Sequence, residues 1–161
     1  ASSDDIDYWY RLYQNVQQHS FELNTFPLPK KVFSTLLKNE NWEALTLSLK
    51  QQDDPEASGK PVCIIYSYQS GDAYIPMIIG LDYTFNKEYK IYRQALYRLV
   101  MRARELNKKK VLLGFSAHIE KHKVGAVAMP TYGYMQYKDS FNMEVLEALN
   151  RKEHGIDGRR L

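Results

Sequence analysis

Cysteine is nearly absent from this chain: Cys63 is the only one in 161 residues, so no internal disulfide can form. It lies within the apolar run PVCIIY and reads as a buried small hydrophobe rather than a reactive thiol. Long apolar runs are missing too. IPMIIGL falls far short of the roughly 20 residues that a membrane-spanning helix needs. No basic region leads into an apolar stretch and a small-residue cleavage site at the start, so no secretion signal is expected. Together with the cysteine usage, this makes the expected location cytoplasmic. Low-complexity tracts and internal repeats are also absent.

What is present suits one folded domain over residues 1–161, long enough to bury a core without metal or disulfide staples. Apolar residues make up 44% and charged residues 25%, with an excess of thirteen tyrosines. The net charge of +3 is mild but uneven, because residues 86–110 hold nine Lys or Arg against two Glu. Such a stretch can attract phosphate, or it can be the wet face of a helix followed by a lysine turn. No nucleic-acid readout motif accompanies it, so an RNA-binding module is the weakest reading.

The pattern predicts an α+β fold with one mixed sheet. Ile6, Trp9, Leu12, Tyr13 and Val16 recur at helical spacing over residues 4–19. A second helix starts at Pro29 and buries Val32, Phe33, Leu36 and Leu37. Strands are expected at 42–50, 61–69 and 73–83, joined by hairpins. Pro76 requires an edge, bulge or break in the third, since proline donates nothing to a ladder. A long helix spans 88–106, with Ile91, Ala95, Leu96, Leu99, Val100, Ala103 and Leu106 on its buried face. A strand at 109–115, a short helix at 117–124, a strand at 129–138 and a helix carrying Met143, Leu146 and Leu149 follow. Residues 154–161 read as a frayed tail, and the opening ASSDDIDYWY as a chain excised at the start of a helix.

This order resembles the GNAT superfamily of acyl-CoA-dependent N-acyltransferases over residues 4–138, without the fold's usual first strand. The segment GLDYTFNKEYKIYRQALYRLVMRARELNKKKVLLGFSAHIEKHKVGA is similar to the branch related to the peptidoglycan cross-bridge aminoacyl transferases. So is LNTFPLPKKVF followed by a Trp-Glu strand. The branch's K-x-x-x-G-A element falls on Lys121, Gly125 and Ala126. Some relatives in that branch are modules fused to a pyridoxal-phosphate-dependent oxoamine synthase, which would account for an excised start.

The resemblance implies acetyl-CoA or another acyl-CoA as donor and a small-molecule or aminoacyl amine as acceptor. Two strands should splay apart after a bulge and hold the thioester and pantetheine arm on unpaired backbone, while the next helix meets the pyrophosphate. Here these are residues 73–83 and 109–115, with Ile78, Ile79 and Gly80 as backbone contacts. The chain departs from most of the superfamily at the phosphate loop, because DYTFNKEYK has no glycine, and Lys87, Lys90 and Arg93 would supply charge instead.

Amine acylation needs a base for the ammonium proton and an acid for the leaving thiolate. Asp82 can be the base, or only a loop carboxylate or helix cap. Tyr83, Ser116, Tyr132 and Tyr134 can be acids or orienting groups, or half-buried packing residues. In GFSAHIEKHKVGA, Ser116 stands at a strand's open end, and Lys121 is the candidate for binding phosphate or carboxylate. His118 and His122 have metal-compatible spacing but no third ligand, so no metal is expected. The alternative to catalysis is a noncatalytic accessory domain that retains the fold to bind a ligand.

Overall fold

Helix α1 (Ser3–His19) starts where Ser2 and Asp5 cap each other. The Asp5 amide donates to Ser2 Oγ at 3.2 Å, and the Ser2 amide donates to Asp5 Oδ2 at 2.7 Å. Ile6, Leu12 and Tyr13 form its buried stripe. Helix α2 (Lys31–Leu36) begins after Pro29 and buries Phe33 completely, while Val32, Leu36 and Leu37 are only partly covered. The Leu28 amide donates to Tyr13 Oη at 3.0 Å and fixes the approach to α2. A computed structural model describes residues 2–19, 27–50 and 59–131. Residues 1–128 make one compact unit and 129–161 a second. Of the second unit only residues 129–131 are described, without regular structure. The rest of the strand expected at 129–138, the terminal helix and the tail lie outside the described residues.

Strands β1 (Trp42–Ser48), β2 (Pro61–Ser70) and β3 (Ala73–Leu81) form two antiparallel pairings, and β4 (Lys110–Val111) adds to β3 in parallel. The order is β1-β2-β3-β4. β2 is central and buried from Val62 to Ser67, as its apolar composition requires. Alternation sends Ile64 and Tyr66 into a cluster with α1 and α2, and Cys63 and Ile65 into a cluster with the helix on the opposite face. This is the α+β arrangement that the sequence pattern predicts.

The basic helical stretch differs from expectation. It is two helices, α3 (Tyr83–Tyr89) and α4 (Ile91–Glu105), broken at Lys90, which takes the left-handed conformation at φ 52°. Side chains hold α3 at both ends: Asp82 Oδ1 accepts from the Thr84 amide at 3.0 Å at its start, and Asn86 Oδ1 accepts from the Tyr92 amide at 3.0 Å across the break. Ile91, Ala95, Leu96, Leu99 and Ala103 are buried on α4, but Val100 is exposed, because it falls beyond the edge of the stripe that they define.

The fourth strand is also shorter than the expected 109–115. Only Lys110 and Val111 pair, with Ala73 and Tyr74, and the Leu112 amide adds one bond to the Tyr74 carbonyl at 3.0 Å. The chain then leaves β3. Nearby, β3 is bulged against β2: Tyr66 faces Ile78 while Ser67 faces Pro76, so Met77 is the extra residue. Pro76 thus sits at a bulge, one of the places its missing N–H allows.

A polar cluster ties β1, β3 and α4 together. Glu43 accepts from Tyr74 Oη at 2.7 Å, from Arg102 Nη2 at 2.8 Å and from Arg102 Nε at 3.1 Å. Burial raises the Glu43 pKa, but these hydrogen bonds and the Arg102 charge outweigh it and leave the carboxyl below its ordinary value. On the opposite face, α1 presses directly on β3. A Cβ placed on Gly80 would lie 2.6 Å from the Tyr13 nitrogen and 2.7 Å from the Leu12 carbonyl carbon.

Two outcomes follow from this packing. Because those neighbours are backbone atoms, Gly80→Ala must shift α1 and should cost about 1–3 kcal/mol in urea unfolding. Glu43 has a depressed folded pKa, so its contribution is present above the unfolded value and lost as pH falls through the folded one. The Glu43→Gln variant should therefore be less stable near pH 7, by about 1–3 kcal/mol. It should also show a flatter loss of stability on acidification than the wild type.

Candidate functional site

Where β3 and the chain after β4 part, the gap is not filled by another strand among the described residues. It becomes a cleft of about 480 Å³, floored by Tyr92, Leu96 and Leu99 of α4 and walled by Ile75, Ile79 and Leu112. β3 is hydrogen-bonded to β2 on one side from Ile75 onward and borders this cleft on the other. Such an edge offers backbone donors and acceptors to an extended ligand.

A second, wider cleft of about 920 Å³ adjoins the carboxyl end of β3. Ile79, Tyr92 and Ser116 line both, so the two adjoin. The wider cleft is basic, with Lys87, Lys90, Arg93 and Lys123 facing a single carboxylate, Glu120. Arg93 Nε donates to Glu120 Oε2 at 2.9 Å, and Lys123 Nζ donates to Oε1 at 2.5 Å. The Arg93 and Lys123 hydrogen bonds hold the Glu120 carboxyl down to about 2.

Most of the residues singled out from the sequence meet here. Ile79 and Ser116 stand at the junction, and Tyr83, Lys87 and Arg93 line the basic cleft, although Arg93 is already engaged by Glu120. Ile78 borders the apolar cleft, and it also packs against the α1 and α2 cluster. Gly80 is the exception in kind, since the space where its side chain would be is taken by α1. Tyr132 and Tyr134 lie outside the described residues.

Asp82 extends β3 by one bond, its amide donating to the Val62 carbonyl at 2.8 Å, and its carboxylate caps α3. Its charge also reaches Tyr8 of α1, whose phenol is raised first by burial and then by Asp82. Tyr83 is half-buried, which raises its pKa, and it stacks on His19 with ring centroids 4.4 Å apart. His19 Nδ1 lies 2.8 Å from the Asn15 carbonyl oxygen, and Asn15 Nδ2 donates to the Leu81 carbonyl at 3.1 Å. The end of α1 is thereby fixed to the end of β3. Neither His19 nor Asn15 was legible as a support of the site, because they reach Tyr83 and Leu81 only through the crossing of α1 over the sheet.

Helix α5 (His118–His122) closes the other wall. It starts after Ala117, left-handed at φ 53°, and ends in a Schellman turn: Gly125 is left-handed at φ 85°, the Ala126 amide donates to the Lys121 carbonyl at 3.1 Å, and the Gly125 amide to the His122 carbonyl at 3.0 Å. This explains the Gly-Ala of K-x-x-x-G-A as a helix stop. Lys121 itself is buried in the wall of the apolar cleft, and its Nζ donates to the Gly114 carbonyl at 3.2 Å. Cys63 is fully buried with its thiol pushed up to about 12 by desolvation, so it supplies no thiolate nucleophile. Among the described residues no three His, Cys, Asp or Glu side chains group as metal ligands, and no helix is long and apolar enough to cross a membrane.

Three solved structures share the fold. The ribosomal-protein-S18-alanine N-acetyltransferase of Escherichia coli is 15% identical with a TM-score of 0.56, covering 78% of this chain and 73% of its own. A protein of Agrobacterium tumefaciens str. C58 assigned to the acetyltransferases is 18% identical with a TM-score of 0.59, covering 85% and 96%. An aminoglycoside acetyltransferase from an uncultured soil metagenomic sample is 15% identical with a TM-score of 0.56, covering 86% and 93%. No curated protein matches the chain. The model of the acetyltransferase (GNAT) domain family matches residues 1–139, which takes in every element around the two clefts, and the chain belongs to that family.

Proposed function

We propose that this domain transfers an acyl group from acyl-CoA, or a related activated donor, to an amine by direct attack. One observation carries the reading: an apolar cleft along the open edge of β3 adjoins, through Ile79, Tyr92 and Ser116, a cleft lined by four cations. That sequence of environments fits a donor with an extended arm and a polyanionic end. The residues present fit such a group. Lys87 and Lys90 have no ion-pair partner among the described residues and would meet phosphate, while the β3 edge at Ile78 and Ile79 would hold the arm. The glycine-free turn is no obstacle in this arrangement, since side-chain charge replaces close backbone approach.

The amine would attack the thioester carbonyl, giving up its proton as the carbon–nitrogen bond forms, and the thiolate would leave with a proton. Asp82 at the end of β3 is the proposed base, and Tyr83 or Ser116 the proposed acid or orienting group. Tyr134 remains part of the proposal as a further acid. Lys121 lines the apolar cleft and not the basic one, and its proposed role is a longer-range attraction for a phosphate or carboxylate. The acceptor proposed is a small-molecule or aminoacyl amine, as in the cross-bridge branch. The same reading includes an association with a pyridoxal-phosphate-dependent oxoamine synthase and a cytoplasmic location.

Calorimetric titration with acetyl-CoA and CoA at moderate salt should show saturable one-to-one binding. Absence of binding to either, and to longer acyl-CoA donors, would reject the donor. Binding without thioester turnover against a panel of amines would favour the noncatalytic accessory domain. Asp82→Asn isolates the base, because asparagine caps a helix as well as aspartate does. Turnover should fall by roughly 10²-fold or more while CoA affinity and thermal stability stay unchanged. Unchanged turnover would remove Asp82 from that role.

A further inference from the structure

The basic cleft already contains an anion of its own. Glu120 uses both carboxylate oxygens on the cleft's cations: Oε2 accepts from Arg93 Nε at 2.9 Å, and Oε1 accepts from Arg93 Nη2 at 3.3 Å and from Lys123 Nζ at 2.5 Å. The two cations thus satisfied are half of the four that line the cleft. Glu120 stands on α5, whose position is fixed by the Lys121 bond to Gly114 and by the Schellman turn, so its side chain can rotate out without moving the helix. Its own side chain is 31% exposed, and those of Arg93 and Lys123 are 42% and 47% exposed. Solvent therefore reaches the pairs and can carry the carboxylate once they open.

We infer that Glu120 is a built-in competitor for the anionic end of the ligand, seated on Arg93 and Lys123 until a polyanion displaces it. The inference rests on the reading of the basic cleft given above and deepens it by naming what the cleft selects. A single carboxylate offers one negative charge and two acceptor oxygens. A monoanion that replaces it gains nothing, because it exchanges like for like and must also be immobilised. A pyrophosphate group brings more charge and more oxygens, and can engage Lys87 and Lys90 at the same time as Arg93 and Lys123. Glu120 thereby sets a threshold on ligand charge, discriminating polyanions from the chloride, acetate and single carboxylates that any open basic cleft attracts.

The test is titration of the whole domain with inorganic pyrophosphate, with acetate and with CoA, at one fixed ionic strength, for the wild type, Glu120→Gln and Glu105→Gln. Glu105 is the control for net charge. It lies twelve residues beyond Arg93 on α4, or about 18 Å along the axis, which exceeds a screening length of about 8 Å. Partly exposed ion pairs each hold a factor of roughly 1.4 to 5, so freeing the two cations should tighten pyrophosphate binding by roughly two- to twenty-fivefold. Glu105→Gln should change it by less than about twofold. Acetate binding should be undetectable in the wild type and become measurable in Glu120→Gln.

Equal or weaker pyrophosphate binding by Glu120→Gln would overturn the inference and make Glu120 a positioner of Arg93. Equal tightening in both variants would overturn it in favour of net charge alone, and so would the absence of pyrophosphate binding by all three proteins. Tightened pyrophosphate binding with no CoA binding in any protein would leave the competitor standing and remove the acyl-CoA reading.

Discussion

The structure turns on where β3 loses its second partner. Two residues of parallel pairing, Ala73 with Lys110 and Tyr74 with Val111, bring the strands together, and beyond Tyr74 no strand among the described residues pairs with that edge of β3. A sheet that stops pairing in its interior leaves backbone polar groups that must be satisfied by something other than a neighbouring strand. In this fold a ligand can do so. The surrounding features keep the gap from closing: α4 supports it from below through Leu96 and Leu99, the Met77 bulge and Pro76 spoil the regular strand, and Lys121 holds the departing segment by Gly114.

The two faces of the sheet carry different duties. On one, α1 is pressed so closely on β3 that only glycine fits at position 80, and Asn15 locks the end of the helix to Leu81. On the other, Glu43, Tyr74 and Arg102 form a partly buried hydrogen-bonded cluster that joins an outer strand, the parting strand and α4. Tyr74 belongs both to this cluster and to the last paired residues before the gap. The apex of the cleft is therefore anchored by hydrogen bonds as well as by packing.

Much of this was legible in the sequence, and the misreadings have particular causes. The α1 stripe and the three antiparallel strands follow from period alone. KKKVLLGF looked like a buried strand because Leu112 and Leu113 are apolar, but Leu112 is exposed and Leu113 only partly buried, and both line the cleft instead of joining a ladder. Asp82 allowed a helix cap and is one, but α3 as a separate helix went unseen, because the break after it rests on Asn86 capping the Tyr92 amide, a geometry that hydrophobic period does not register. Ile79, Ser116, Lys87 and Arg93 all line the two clefts, because they lie at the strand and helix ends around the parting of β3. The Arg93–Glu120 pairing spans 27 positions in the chain and depends on how α5 is aimed, which local pattern does not encode.

The cleft is narrow and greasy at its apex and broad and cationic at its mouth, and β3 runs its full length. From Tyr74 to Leu81 that strand measures about 23 Å, at roughly 3.3 Å per residue. The open edge thus works as a ruler with a fixed zero. A donor of the kind proposed, tethered by its charge at the mouth, would have its remaining length laid out against a rigid scale, so a change in arm length would move its reactive group along the strand.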